Sequence, residues 1–207
     1  MKHRKLLLSF LTVGLLSTMG VANAATETAT QVLQCTLGSY VNITPDFEAV
    51  TSSTINPDNG NLLSSLISKF DIEVNSEQTL YLRANAESST TNEKAFFKNG
   101  SDVFVVLAHK DLKPLVASIN DAKTSNPTAT NNPNVIAYKV TGVTLTGASE
   151  SSTPNFNADT SQYEISAKPG KTVATTTIGT AVVPATYSYL DNAGTYQAVV
   201  TLTTAET

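Results

Sequence analysis

Along the last residues of the chain, apolar and polar positions alternate. Tyr196, Ala198, Val200 and Leu202 fall on one face of an extended segment; Thr195, Gln197, Val199, Thr201 and Thr203 fall on the other. A period of two marks a strand half buried against a core. The preceding Asp191-Asn192-Ala193-Gly194 offers residues that tolerate positive φ, as a turn requires. The alternation recurs upstream. Residues 31–44 read as one long strand with Leu33, Cys35, Leu37, Val41 and Ile43 on one face. Pro45 ends it, because proline cannot donate to a ladder. Leu80, Leu82, Ala84 and Ala86 mark another strand, and the turn at residues 75–78 is short enough for a hairpin with a strand over 69–75. Residues 95–98 and 102–109 predict a hairpin across Asn99-Gly100. Its second arm is apolar on both faces and so should be central. Residues 135–145 are a strand pair or one strand bent at Gly142. Residues 162–168, 172–183, 186–190 and 195–204 complete the strands.

Two segments carry helical spacing. Leu62, Leu63, Leu66, Ile67 and Phe70 predict a short helical turn or an irregular lead-in, with Asn61 able to cap. Over residues 111–122, Leu112, Leu115, Val116 and Ile119 predict a short helix capped by Asp111, with Pro114 tolerated in its first turn. The sum is an all-β chain: a single β-sandwich domain over residues 31–207, with about eight to ten strands and one or two short helices. Abundant Thr, Val, Ser and Asn fit strands with polar faces and turns between them.

The N-terminus reads differently. Lys2, Arg4 and Lys5 precede an apolar stretch over residues 6–16, and Ala22-Asn23-Ala24 has the small-x-small form cut by signal peptidase. Residues 1–24 are read as a signal peptide and residues 25–30 as a polar arm. The apolar stretch falls short of the about 20 residues a bilayer span needs, and no later segment comes nearer, so no membrane span is expected in the mature chain. The net charge is −4, and no basic cluster lies beyond the leader. Nucleic acid and anionic membranes are therefore poor partners.

Chemistry is sparse. Cys35 is the one cysteine, so no internal disulfide can form. A lone thiol serves as an intermolecular bridge, as a nucleophile, or as a small buried hydrophobe; its shared face with Leu33 and Leu37 points it into the core. His109 is the one histidine beyond the leader, at a solvated-looking strand end beside Lys110 and Asp111. No catalytic residue is assigned, and the chain is read as non-enzymatic. No spacing of Cys, His and carboxylates suits zinc. Asp58-Asn59-Gly60-Asn61 lacks the acidic twelfth ligand of a calcium loop and reads as a turn. No metal and no cofactor is expected. The pairs Asp46/Glu48 and Asp71/Glu73 read as solvated strand faces. Tyr187 and Tyr189 share a face over residues 186–190 and could stack on a sugar. A secreted module binding a glycan or cell-surface ligand, through the polar loops 123–134 and 147–161, is thus one reading.

The other comes from a resemblance. The alternating last strand, with Gly194 fourteen residues from the C-terminus, resembles that of bacterial pilin subunits of the chaperone–usher route. Glu206 stands where that family carries a penultimate aromatic, and the lone Cys35 cannot form its early bridge. The resemblance implies an incomplete immunoglobulin-like sandwich, completed by an extended arm from a neighbour. Tyr196, Ala198, Val200 and Leu202 would line the accepting edge; Leu33, Cys35 and Leu37 would serve as the donor arm. Implied partners are other copies or related subunits and a periplasmic chaperone. The implied location is the periplasm and then a fimbrium at the cell surface.

Overall fold

Among the described residues, eleven strands form a single open antiparallel sheet in a computed structural model. It describes residues 31–89, 92–113, 134–147, 153–182, 187 and 189–205. The chain divides into two units, Met1–Leu37 and Gly38–Thr207. The sheet belongs to the second. Residues 31–37 of the first carry no regular structure. The expected signal peptide (1–24) and arm (25–30) lie outside the described residues.

The strands are β1 (Val41–Pro45), β2 (Leu66–Val74), β3 (Gln78–Glu87), β4 (Asn92–Lys94), β5 (Phe96–Asn99), β6 (Asp102–His109), β7 (Val135–Gly147), β8 (Asn155–Asn157), β9 (Gln162–Ala167), β10 (Gly170–Val182) and β11 (Tyr196–Thr203). Their order is β1-β2-β10-β7-β6-β11-β3-β9-β8, with β4 on β3 and β5 on β6. Two places join the halves. β11 pairs with β6 at Tyr196 and Gln197, then with β3 from Ala198 to Thr203. Ala95, fully buried between β4 and β5, donates its N–H to Ala84 O at 2.8 Å and accepts at its carbonyl from Val106 N at 3.0 Å. Its two backbone groups thus tie β3 to β6.

One apolar cluster holds both halves. β3 turns Leu80, Leu82, Ala84 and Ala86 inward; β9 adds Ile165 and Ala167, and β6 adds Val105 and Leu107. Each large side chain buried this way contributes about 1.5–3 kcal/mol. Phe96, Phe156 and Tyr163 meet edge to face, with Phe96 and Tyr163 centroids 5.6 Å apart. The predicted hairpin at Asn99-Gly100 is present, with Asn99 opposite Asp102 and Gly100 at φ 62°. β6 is central as expected, flanked by β7 on one edge and by β5 and β11 on the other. β7 is one long strand, and the register of its β10 pairing shifts at Thr177/Ile178, beside Gly142.

Several expectations change. The long strand over 31–44 is cut to Val41–Pro45. Its partner β2 ends at Val74, opposite Val41, so the residues before it have no ladder to join. Cys35 is therefore exposed rather than in a core. Helical spacing over 61–70 gives no helix: Leu66 onward is strand, held by β10 along its length, and Leu62 forms a bridge to Ile55. Among the described residues there is no helix; most of the second helical segment, from residue 114, lies outside them. Residues 75–78 do not close a hairpin, for β2 and β3 have no common ladder. The reason is long-range: β2 is taken up by β1 and β10, and β3 by β11, β9 and β4. The chain passes instead from one half of the sheet to the other.

A candidate functional site beside the last strand

β11 has the predicted faces from Ala198 to Leu202, whereas Gln197 and Thr203 of the expected outer row are half buried. Tyr196, Ala198 and Val200 are half buried and Leu202 is buried, while Val199 and Thr201 are exposed. From Ala198 to Thr203 its ladder is with β3. Among the described residues nothing pairs with its other edge there. Alternate residues of a strand turn N–H and C=O to the same edge, so this edge presents unbonded backbone groups.

A trough of about 960 Å³ runs along that edge. Its lining includes Ala198 and Val200 of β11, Leu66, Ile67 and Phe70 of β2, and Val105, Leu107, Ile136, Tyr138 and Ile178. Polar side chains, among them Asp46, Lys69 and Asp191, share the lining with these apolar ones. Residues 46–50 form a turn along β2. Asp46 donates its N–H to Lys69 O at 3.0 Å, and Ile67 donates its N–H to Val50 O at 2.6 Å.

Three tyrosines of the lining bond to backbone carbonyls. Tyr138 donates its hydroxyl to Gly60 O at 2.9 Å, Tyr187 to Pro57 O at 3.2 Å and Tyr196 to Asn192 O at 2.7 Å. Burial foremost, then the Tyr187 and Asp191 charges, raises the pKa of Tyr138; burial, then Asp191 and Tyr187, raises that of Tyr196. Both phenols are held neutral. Asp58-Asn59-Gly60 is a turn pinned by side chains: Asn56 Oδ1 accepts from Asp58 N and Asn59 Oδ1 from Asn61 N. The ring of Tyr187 fills the space against Gly60, where an added Cβ would lie 2.5 Å from it.

His109 packs beside Tyr196. It is 4% exposed, not solvated as its neighbours Lys110 and Asp111 suggested. Its Nδ1 accepts from Asp111 N at 3.1 Å, which leaves the proton on Nε2 to donate to Ala193 O at 3.2 Å. Its ring meets Tyr196 edge to face, centroids 5.1 Å apart. The sequence signal for this was parity: His109 continues the inward row of Val105 and Leu107.

The other predicted residues part company. Tyr187 and Tyr189 share no strand: Tyr187 is half buried under Gly60, and Tyr189, in a turn, is 88% exposed. The reason is that Tyr187 is drawn to the 56–62 turn by its packing and hydroxyl bond, so the pair makes no stacking platform. Loop 123–134 lies outside the described residues except for Asn134, which is buried, and part of loop 147–161 lies outside them too. Leu33 and Leu37 are 85% and 84% exposed, and Cys35 is exposed too. Of the paired acids, Asp46 Oδ1 accepts from Glu48 N in the turn, 2.9 Å. Among the described residues no three His, Cys, Asp or Glu gather as a metal site, and no helix is long and apolar enough to cross a membrane. Comparison with known protein families, curated proteins and solved structures finds no match for this chain.

Proposed function

We propose that this chain is an exported structural or adhesive surface subunit, resembling pilins, that associates with its neighbours by β-strand addition. The observation that carries the reading is the trough beside the unpaired edge of Ala198–Thr203. An extended segment laid there would bond to β11 through its backbone and drop alternate side chains onto Val105, Leu107 and Ile136. In this reading the sheet folds over at Ala95 and at Gln197–Ala198 into an immunoglobulin-like sandwich that lacks one strand. The bonds from Ala95 to both Ala84 and Val106 support that arrangement.

The donor is the arm of a second copy. Leu33, Cys35 and Leu37 fall on one side of an extended chain, and all three are exposed. The apolar leader-like start supports export, with assembly in the periplasm and display at the surface. The reading is of a non-catalytic protein, supported by His109, whose ring nitrogens are both engaged by backbone groups. A synthetic peptide spanning residues 31–44, added to the mature protein, tests it. Bound peptide should slow hydrogen exchange at amides between 198 and 203 and raise Tm with peptide concentration. A peptide with Leu33 and Leu37 changed to Ser should do neither. Exchange unchanged at saturating wild-type peptide would sink the reading.

A further inference from the structure

The most exposed large apolar side chain at the rim of the trough is Phe47. It is 87% exposed, yet it stands among the residues lining the trough. The turn that carries it follows β1 and is pinned at both ends to β2, beyond the last β1 pair at Pro45 and Phe70. Asp46 N–H bonds to Lys69 O and Ile67 N–H to Val50 O, and an Asp46–Lys69 ion pair of 3.8 Å adds little, being solvated. Within the turn, Asp46 accepts from Ala49 N at its carbonyl and from Glu48 N at Oδ1. The base is fixed and the tip is bare. Aromatic side chains are enriched among the residues that make protein contacts.

We propose that Phe47 is a hydrophobic latch: it covers the strand seated in the trough and holds it there. This rests on the strand-addition reading, with the arm of a second copy as the occupant. The exposed Leu33 and Leu37 of that arm supply apolar side chains, and Phe47 belongs to the lining of the same trough as Ala198 and Val200. Both Ala198 and Val200 are short. A strand gripped from the β11 side alone would leave its outer face to water, and Phe47 is the residue able to close that face. The consequence is kinetic: a latch retards departure more than it speeds arrival.

The chain contains no tryptophan, so Phe47→Trp installs a single reporter. Labelled peptide of residues 31–44 is titrated into mature Phe47→Trp protein, and peptide anisotropy and indole emission are followed together. Binding should shift the emission to shorter wavelength, as the indole leaves water. In parallel, Phe47→Ala should release the peptide about tenfold faster while its association rate and the Tm of the free protein stay unchanged. Peptide that binds with no emission shift, or that leaves Phe47→Ala at the wild-type rate, overturns the latch and leaves strand addition standing. Peptide that fails to bind wild-type protein overturns both.

Discussion

Gly194 is a glycine because His109 occupies the space a methyl would take. A Cβ there would lie 2.1 Å from the imidazole Nε2, which is itself committed to Ala193 O. Gly194→Ala should therefore cost about 1–3 kcal/mol, the range for forcing an extra carbon into a filled site. Urea denaturation measures it, and a double-mutant cycle with His109→Ala should show non-additivity as the space is freed. Additive losses would mean that the imidazole is not the obstacle. The glycine itself was visible in the sequence as a turn residue. Its reason was not, because His109 lies 85 positions earlier and meets it only when β6 and β11 pair at Tyr196.

At the scale of elements, β11 was the most legible. Its alternation gave the inward row, and packing then graded that row: Leu202 is buried while Ala198 and Val200 are left half covered at the trough. Leu202→Ala should cost about 2–4 kcal/mol in Tm or urea measurements, as core truncations do. Thr201→Ala, on the exposed face, should stay within about 0.5 kcal/mol. Equal effects would contradict the facing described here. Partner choice was not legible. The turn at 75–78 is short, and short turns suggest hairpins, but β2 takes β1 and β10 as neighbours while β3 takes β11, β9 and β4. Residues 61–70 misled for a related reason. Leucines at helical spacing carry no record of the β10 strand, about a hundred residues on, that draws Leu66–Val74 into its ladder.

At the scale of the whole molecule, the buried tyrosines couple stability to pH. Tyr163, pushed up to about 12 by burial, joins Tyr138 and Tyr196 in staying neutral within the fold. In the unfolded chain a phenol ionises near 10. The folded state thus holds these protons more tightly. The stability they contribute is complete below pH ~10 and is lost as pH rises from there through the folded values. Urea midpoints should hold level from neutral pH to about pH 9 and fall steeply above ~10, with tyrosinate absorbance rising in the same transition. Tyr163→Phe should make that fall shallower. Tyrosinate appearing near pH 10 with the fold intact would show that the rings are open to water.

Alternation and turn residues are written residue by residue, because pleat and φ preference act over a few neighbours. Those local rules determined the all-β class, the inward face of β3 and β11, and the hairpin at Asn99-Gly100. Tertiary structure alone decided which strands pair, that β11 changes partner at Ala198, that Cys35 stays outside, and that β2 and the last strand both line one trough. Each of these depends on contacts between residues far apart in the chain, where the free energy of pairing is settled by the assembled core and not by any short stretch of sequence.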